Sequence, residues 1–95
     1  MATSKISNDM SANATYLNGS SKDLNDYSNT GFFTIGTDVV NSPVNYAWLM
    51  IIRSPGSDNA CVQVLIKPGM VHIRAFTGNP LAWTNWYKVN LTEQT

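Results

Sequence analysis

Two runs of alternating side chains flank Pro68-Gly69, and their pattern is compatible with few folds. If these two residues connect a β-hairpin, each residue of the first strand faces a defined partner in the second. One face is then wholly apolar, with the pairs Ile66 with Val71, Val64 with Ile73, and Val62 with Ala75. The other face is mixed, with the pairs Lys67 with Met70, Leu65 with His72, Gln63 with Arg74, and Cys61 with Phe76. Because a one-residue slip would invert both faces, the pattern supports this register.

The length of the connecting loop stays open at this point. Proline at the first central position suits a type II turn, which splays the strands of a two-residue hairpin. A four-residue loop around Pro68-Gly69 is the alternative, and both loops keep the same cross-strand pairs. The composition of the two faces is therefore the same in either case.

Residues 46–52 carry apolar side chains in both of their alternating sets. In an antiparallel sheet with one solvated face, the second set would be left in water. Its cover is either another layer of the same domain or an identical neighbour. We favour the neighbour, because the roughly 70 residues after Leu24 leave little chain for a second layer and a domain of that size is marginal alone. A closed oligomer would also hide the edges of the sheet.

β-Branched and aromatic residues with period-two alternation dominate the chain after Gly31, and turn residues interrupt them at short intervals. This pattern predicts strands at residues 31–37, 46–54, 60–67, 70–77 and 85–91. A serine or Asp23 could cap a short helical turn that reaches Tyr27, and Gly31 ends it. The predicted fold class is all-β, a small antiparallel meander or sandwich.

Composition divides the chain into two parts. Residues 1–22 are rich in Ser, Asn, Thr and Ala, and hold too few apolar groups to offset the entropy of ordering, so we expect a polar lead or linker. Residues 23–95 form the β domain. The single cysteine, Cys61, cannot form an internal disulfide. The Met1-Ala2 start on this lead is typical of a fragment of a longer protein.

Several function classes lack a signal in the sequence. Six basic and six acidic side chains give zero net charge, without a patch for nucleic acid or an anionic membrane. The longest apolar run is shorter than the roughly 20 residues of a bilayer span, and the start lacks a signal-peptide core, so we expect a soluble chain. His72 is the only histidine, and no metal-ligand spacing, catalytic carboxylate pair or phosphate loop is present. We therefore expect no catalysis, no metal and no cofactor.

Aromatic and amide side chains remain as candidates for a function. Aromatic rings stack on the C–H faces of sugars, and amides donate to and accept from sugar hydroxyls. Trp48 and Trp86 are better explained as core or interface residues, and the opposed Gln63 and Arg74 as a structural hydrogen bond. The candidate ligand-binding residues are Trp83, Asn79, Asn85, Tyr46 and Asn59.

An ordered set of residues from Asp23 to Val89 carries a family resemblance. It comprises Asp23-Leu24-Asn25-Asp26-Tyr27, Gly31-Phe32-Phe33, Asn41, Pro43, Gln63, Ile73-Arg74, Gly78, Trp83, Trp86 and Tyr87-Lys88-Val89. In this order and spacing, the chain resembles the knob-type head domain at the C-terminal end of bacteriophage tail fibres and of tail-like bacteriocins such as pyocins.

The resemblance implies a homotrimeric tip on an upstream fibre shaft, which attaches a virion or a phage-tail-like particle to host cell-surface polysaccharide. The polar lead would then be the end of that shaft. Because such tips vary most where they touch the receptor, the resemblance marks Gln63, Arg74 and Trp86 as scaffold and transfers no ligand site. The alternative function is a purely structural trimerisation or adaptor module of a tail or baseplate. A small glycan hydrolase is disfavoured by the missing acid-base pair.

Overall fold

A computed structural model describes residues 14–56 and 59–94 of the chain. These residues form a seven-stranded sheet in the order β1-β2-β3-β4-β5-β6, with β7 also paired to β5. The strands are β1 (Thr15–Leu17), β2 (Gly31–Ile35), β3 (Ala47–Arg53), β4 (Cys61–Lys67), β5 (Met70–Thr77), β6 (Ala82–Trp83) and β7 (Tyr87–Asn90). A 3-10 helix, Leu24–Asp26, precedes β2. The predicted all-β fold class is confirmed.

Strands β2 to β5 form an antiparallel meander in chain order. Beyond β5, the short β6 pairs with the end of that strand and β7 pairs with its beginning. The described residues place all of their strands in one sheet, so the architecture is the meander of the two predicted alternatives and not the sandwich.

The predicted register of the β4–β5 hairpin is confirmed. Every expected pair is present, from Lys67 opposite Met70 at the turn to Cys61 opposite Phe76 at the far end. The connection is the two-residue loop, and Gly69 has a φ of 88°. A positive φ at the second central position is what a type II turn requires, and glycine adopts it without steric cost.

Two strands were not predicted from the sequence. Strand β1 pairs in parallel with β2, and its Leu17 is buried although it lies in the stretch assigned to the polar lead. Strand β6 contains only two residues, in a segment interpreted as a loop. Strands this short offer too few positions for alternation to be seen. The rest of the lead, residues 1–13, lies outside the described part of the chain.

The side of the sheet that carries Leu49, Ile51, Leu65, Gln63 and Arg74 is covered by two loops, and we call it the covered face. The loop between β1 and β2 includes the 3-10 helix, whose start Asp23 caps by accepting a hydrogen bond from the Asn25 amide at 2.9 Å. The loop between β2 and β3 supplies further apolar cover. The buried apolar core in the described residues is Leu17, Leu24, Ile35, Val39, Ala47, Leu49, Ile51, Cys61 and Leu65.

The opposite side of the sheet, the open face, has no cover within the described chain. It carries the wholly apolar side of the β4–β5 hairpin together with the second apolar set of β3. Trp48 on this face is 57% exposed. Within the described residues no second layer of the domain covers this face, so of the two predicted covers only the identical neighbour is left, and it stays a prediction.

Candidate functional site

A buried polar cluster lies at the centre of the covered face. The Arg74 side chain is only 4% exposed, and its Nε donates to Gln63 Oε1 at 2.9 Å. Gln63 is fully buried, and its Nε2 donates to the carbonyl oxygens of Leu24 at 2.8 Å and Tyr27 at 2.7 Å. The predicted structural hydrogen bond between Gln63 and Arg74 is confirmed. It holds the 3-10 helix against the sheet.

Two tryptophan rings contact the buried guanidinium. The Arg74 Cζ lies 3.9 Å from the ring centroid of Trp83 and 4.7 Å from that of Trp86, which are cation–π distances. Trp83 also packs against Phe76, with centroids 5.0 Å apart. Burial lowers the pKa of Arg74 to about 10, and the negative charge of Asp23 offsets part of that shift. Arg74 therefore stays charged at neutral pH.

The loop between β2 and β3, which is the second loop on the covered face, is attached to the same cluster. Trp86 Nε1 donates to the Asn41 carbonyl at 3.0 Å, and Asn41 Nδ2 donates to Asp23 Oδ1 at 2.8 Å. The bonds from the Asn41 side chain and the Asn25 amide hold the pKa of the Asp23 carboxyl below its usual value. Both covering loops are thus fixed to the sheet by one connected polar and aromatic network.

The five candidate ligand-binding residues do not form one group. Because Arg53, Cys61 and Phe76 are neighbours in the register, the loops that follow β3 and β5 lie at the same end of the sheet. Asn59 and Asn79 are in these two loops. Strands are spaced about 4.8 Å apart, which brings the two loops within roughly 10 Å of each other. Tyr46 lies at the opposite end of the sheet, directly before β3.

The remaining two candidates lie along the outer edge of β5. Asn85 is exposed, between the strands β6 and β7. Trp83 is half-buried, and its ring belongs to the stack on Arg74 and Phe76. A ligand could reach only the part of the Trp83 ring that faces away from the guanidinium.

Tyr46 combines an exposed ring with an unusual backbone. Its side chain is 68% exposed, and its φ is 57°. Asp38 and Asn41 in the same loop also have positive φ values. Asp and Asn adopt that conformation readily, whereas it is uncommon for a bulky side chain. The Tyr46 amide donates to the Gly36 carbonyl at 3.0 Å, which holds the strained residue in place.

The groups considered for catalysis lie apart. His72 pairs with Leu65 and Cys61 pairs with Phe76, so about 13 Å of strand separates His72 from Cys61. Burial lowers the pKa of the His72 imidazole, and the positive charges of Lys88 and Lys67 lower it further. Burial raises the pKa of the Cys61 thiol. At this separation the His72 imidazole and the Cys61 thiol cannot act together as a base and a nucleophile in this arrangement.

Two further features concern only the described residues. Within 14–56 and 59–94, no group of three or more His, Cys, Asp or Glu side chains is arranged to hold a metal ion. In the same residues, no helix has the length and hydropathy needed to cross a membrane.

Comparisons of the chain with protein-family models, with curated proteins and with solved structures found no match.

Proposed function

We propose that the chain is the receptor-binding tip of a bacteriophage-type tail fibre, a homotrimer that attaches the particle to host cell-surface polysaccharide without catalysis. An upstream fibre shaft would carry it, and the polar lead would be the end of that shaft. The proposal assigns ligand contact to exposed loop side chains and stability to the buried cluster around Arg74.

The arrangement of the residues that carry the family resemblance supports this proposal. Gln63, Arg74, Trp83 and Trp86 come from β4, β5, β6 and the segment that follows β6, and they form one network in the fold. Because this network fixes both covering loops, we expect substitutions on the outer surface of those loops to leave the scaffold intact. A constant scaffold beneath replaceable loops suits a receptor-binding domain.

The observation that carries the proposal is the exposed side chain of Tyr46 on a left-handed backbone. A non-glycine residue in the left-handed region costs of order 1–3 kcal/mol, and such strain is concentrated at functional sites. Here the strain holds an aromatic ring in solvent, where the ring contributes little to folding. A flat ring of this kind can stack on the C–H face of a pyranose. Three such sites on one trimer, and several tips per particle, raise the overall affinity above that of one weak site through avidity.

Replacing the ring tests the proposal, because binding and stability should change in opposite directions. We expect Tyr46→Asn to weaken binding of the oligomer to host envelope polysaccharide at least tenfold, measured on a glycan array and on whole cells. Asparagine tolerates the left-handed backbone, so we also expect the melting temperature to stay equal or rise. The matched control is Asp38→Asn, an exposed residue of the same loop with a φ of 62°, which should leave binding unchanged.

Other outcomes would contradict the proposal. If the wild-type oligomer binds no host envelope fraction, the purely structural trimerisation or adaptor function replaces adhesion. If Tyr46→Asn binds like wild type, this residue is not the contact. If reducing ends are released from host polysaccharide and the release is lost in His72→Ala, the chain is an enzyme. Trp83→Ala is a poor test, since it also removes the stack on Arg74.

A further inference from the structure

The open face is a continuous apolar surface that extends over five neighbouring strands, β2 to β5 and β7. Its side chains follow from the register, since every second residue of each strand shares this side. None of them is charged. The face consists of Phe32, Thr34, Trp48, Met50, Ile52, Val62, Val64, Ile66, Val71, Ile73, Ala75, Tyr87 and Val89.

The exposed area of this face is larger than that of a typical monomer surface patch. Seven of its side chains are at least 40% exposed, namely Phe32, Trp48, Ile52, Ile66, Ile73, Tyr87 and Val89. The three aromatic side chains offer about 150–250 Å² each and the four aliphatic ones somewhat less, so the exposed fractions of the seven together amount to roughly 600–900 Å². The largest apolar patch on a monomer is roughly 300–600 Å², whereas a stable protein interface buries roughly 800 Å² per partner. The open face therefore has the area of an interface.

We propose that the open face is the surface through which copies of this chain pack against one another. This inference rests on the proposed homotrimer and names the surface that forms it. Burial of the face would add a second apolar layer to each subunit, because the described residues cover only one side of the sheet. A small domain with so limited a core gains much of its stability from such association.

A second copy of the chain fits the face better than a charged or lipid partner does. Since the face has no charged side chain, it has nothing to pair with a charged protein surface. Amphipathic helices that lie on lipid place Lys or Arg beside their apolar side chains. Here Lys67 and Lys88 alternate onto the covered side of the sheet, opposite Met70 and His72.

The face also carries complementary features at different places. A hollow of about 150 Å³ lies beside Phe32, Trp48, Met50 and Ile66, close to one edge of the sheet. A cavity of roughly this volume accommodates a benzene ring. Tyr87, which is 66% exposed, lies near the other edge of the same face. Contact between two different patches closes subunits into a ring, such as a trimer, where the rotation between neighbours closes.

The test is the mass of the full chain in solution, measured by light scattering and sedimentation over a range of micromolar concentrations. We expect wild type to be oligomeric. Trp48→Glu and Ile73→Glu each bury an unpaired carboxylate in the proposed interface, and should raise the dissociation constant at least about 100-fold. The control Ser20→Glu adds the same charge at an exposed loop residue and should not change the mass.

Circular dichroism separates dissociation from unfolding, because Trp48 and Ile73 are partly exposed in the single chain and the dissociated variants should keep their strand signal. A wild-type monomer that binds phosphatidylglycerol vesicles, or one that stays monomeric without any ligand, overturns the inference. If both glutamate variants remain folded oligomers, another surface forms the assembly, and the adhesive function can still hold. If wild type associates through this face but binds no envelope fraction, the adhesive function fails and the inference stands.

Discussion

The two faces of the sheet differ in a way that hydrophobicity alone does not explain. Leu65 and Ile66 are adjacent on β4 and equally apolar, yet Leu65 is fully buried while Ile66 is 41% exposed. The face that the chain covers with its own loops is the one that contains Gln63, His72 and Arg74. Buried polar groups need hydrogen-bond partners at fixed positions, and the loop that contains Leu24 and Tyr27 supplies them for Gln63, whereas His72 Nδ1 and Arg74 Nη2 have none within the described residues. An apolar face needs only another apolar surface, which a neighbouring copy can supply equally well.

The largest expected effect concerns the polar centre of the covered face. Gln63→Leu removes three hydrogen bonds and leaves the Leu24 and Tyr27 carbonyls and the Arg74 guanidinium buried without that partner. We expect a loss of about 3–5 kcal/mol in the free energy of unfolding, measured by urea denaturation. The adjacent Val64→Thr, which faces the open side, should cost less than about 1 kcal/mol in the dissociated chain. A loss below about 1 kcal/mol for Gln63→Leu would show that the network does not hold the loops.

The second effect compares two neighbouring apolar residues directly. Leu65→Ala creates a cavity in the core and should cost about 2–5 kcal/mol at every protein concentration. Ile66→Ala should cost little in dilute solution, and its cost should grow with concentration as subunits associate, because only the assembled state buries that side chain. Thermal unfolding at several concentrations measures both. Equal, concentration-independent losses would contradict the distinction between the faces.

The smallest expected effect is a pH dependence of the covered face. The pKa of His72 is lowered in the fold, by burial and then by Lys88 and Lys67, from an ordinary value of 6.5. The unfolded chain therefore takes up a proton first as the pH falls, and stability should decline from pH 6.5 downward until the folded histidine also titrates. Melting temperatures between about pH 4.5 and 7.5 should show this decline.

His72→Phe removes the titrating group and should flatten the melting temperature over that range. The pKa of Asp23 is lowered as well, from 3.8, so a separate loss of stability below that pH should remain in the variant. An unchanged decline above pH 4.5 in His72→Phe would assign the effect to another group.

Much of the fold could be predicted because the side-chain pattern of neighbouring strands and the turn between them indicate which residues pair. In the β4–β5 hairpin the Pro68-Gly69 turn sets the pairing and a one-residue slip would exchange the two faces, so the turn and the alternation together specified every pair from Lys67 with Met70 to Cys61 with Phe76. The same local signals indicated β3 and the short helical turn capped by Asp23. Strand β1 was missed, because its three residues join the sheet through a parallel partner that lies 18 residues away in the chain.

The candidate site was less predictable, because exposure and strain are not local properties. Tyr46 and Trp83 both looked like surface aromatic residues in the sequence. Only the fold separates them, since Trp83 stacks on Arg74 while Tyr46 is held in solvent at a φ of 57°. No sequence motif indicates a tyrosine with a left-handed backbone conformation, because asparagine and glycine are the residues that adopt this conformation most readily.

The sequence by itself determined that the β4–β5 hairpin has one mixed and one wholly apolar side, because alternation assigns each side chain to a face. Only the tertiary structure decided that the mixed side becomes the interior. That choice depends on distant contacts, in which Gln63 binds the carbonyls of Leu24 and Tyr27 and the two tryptophans enclose Arg74. These partners are far apart in the chain, and their geometry exists only once the loops have folded over the sheet.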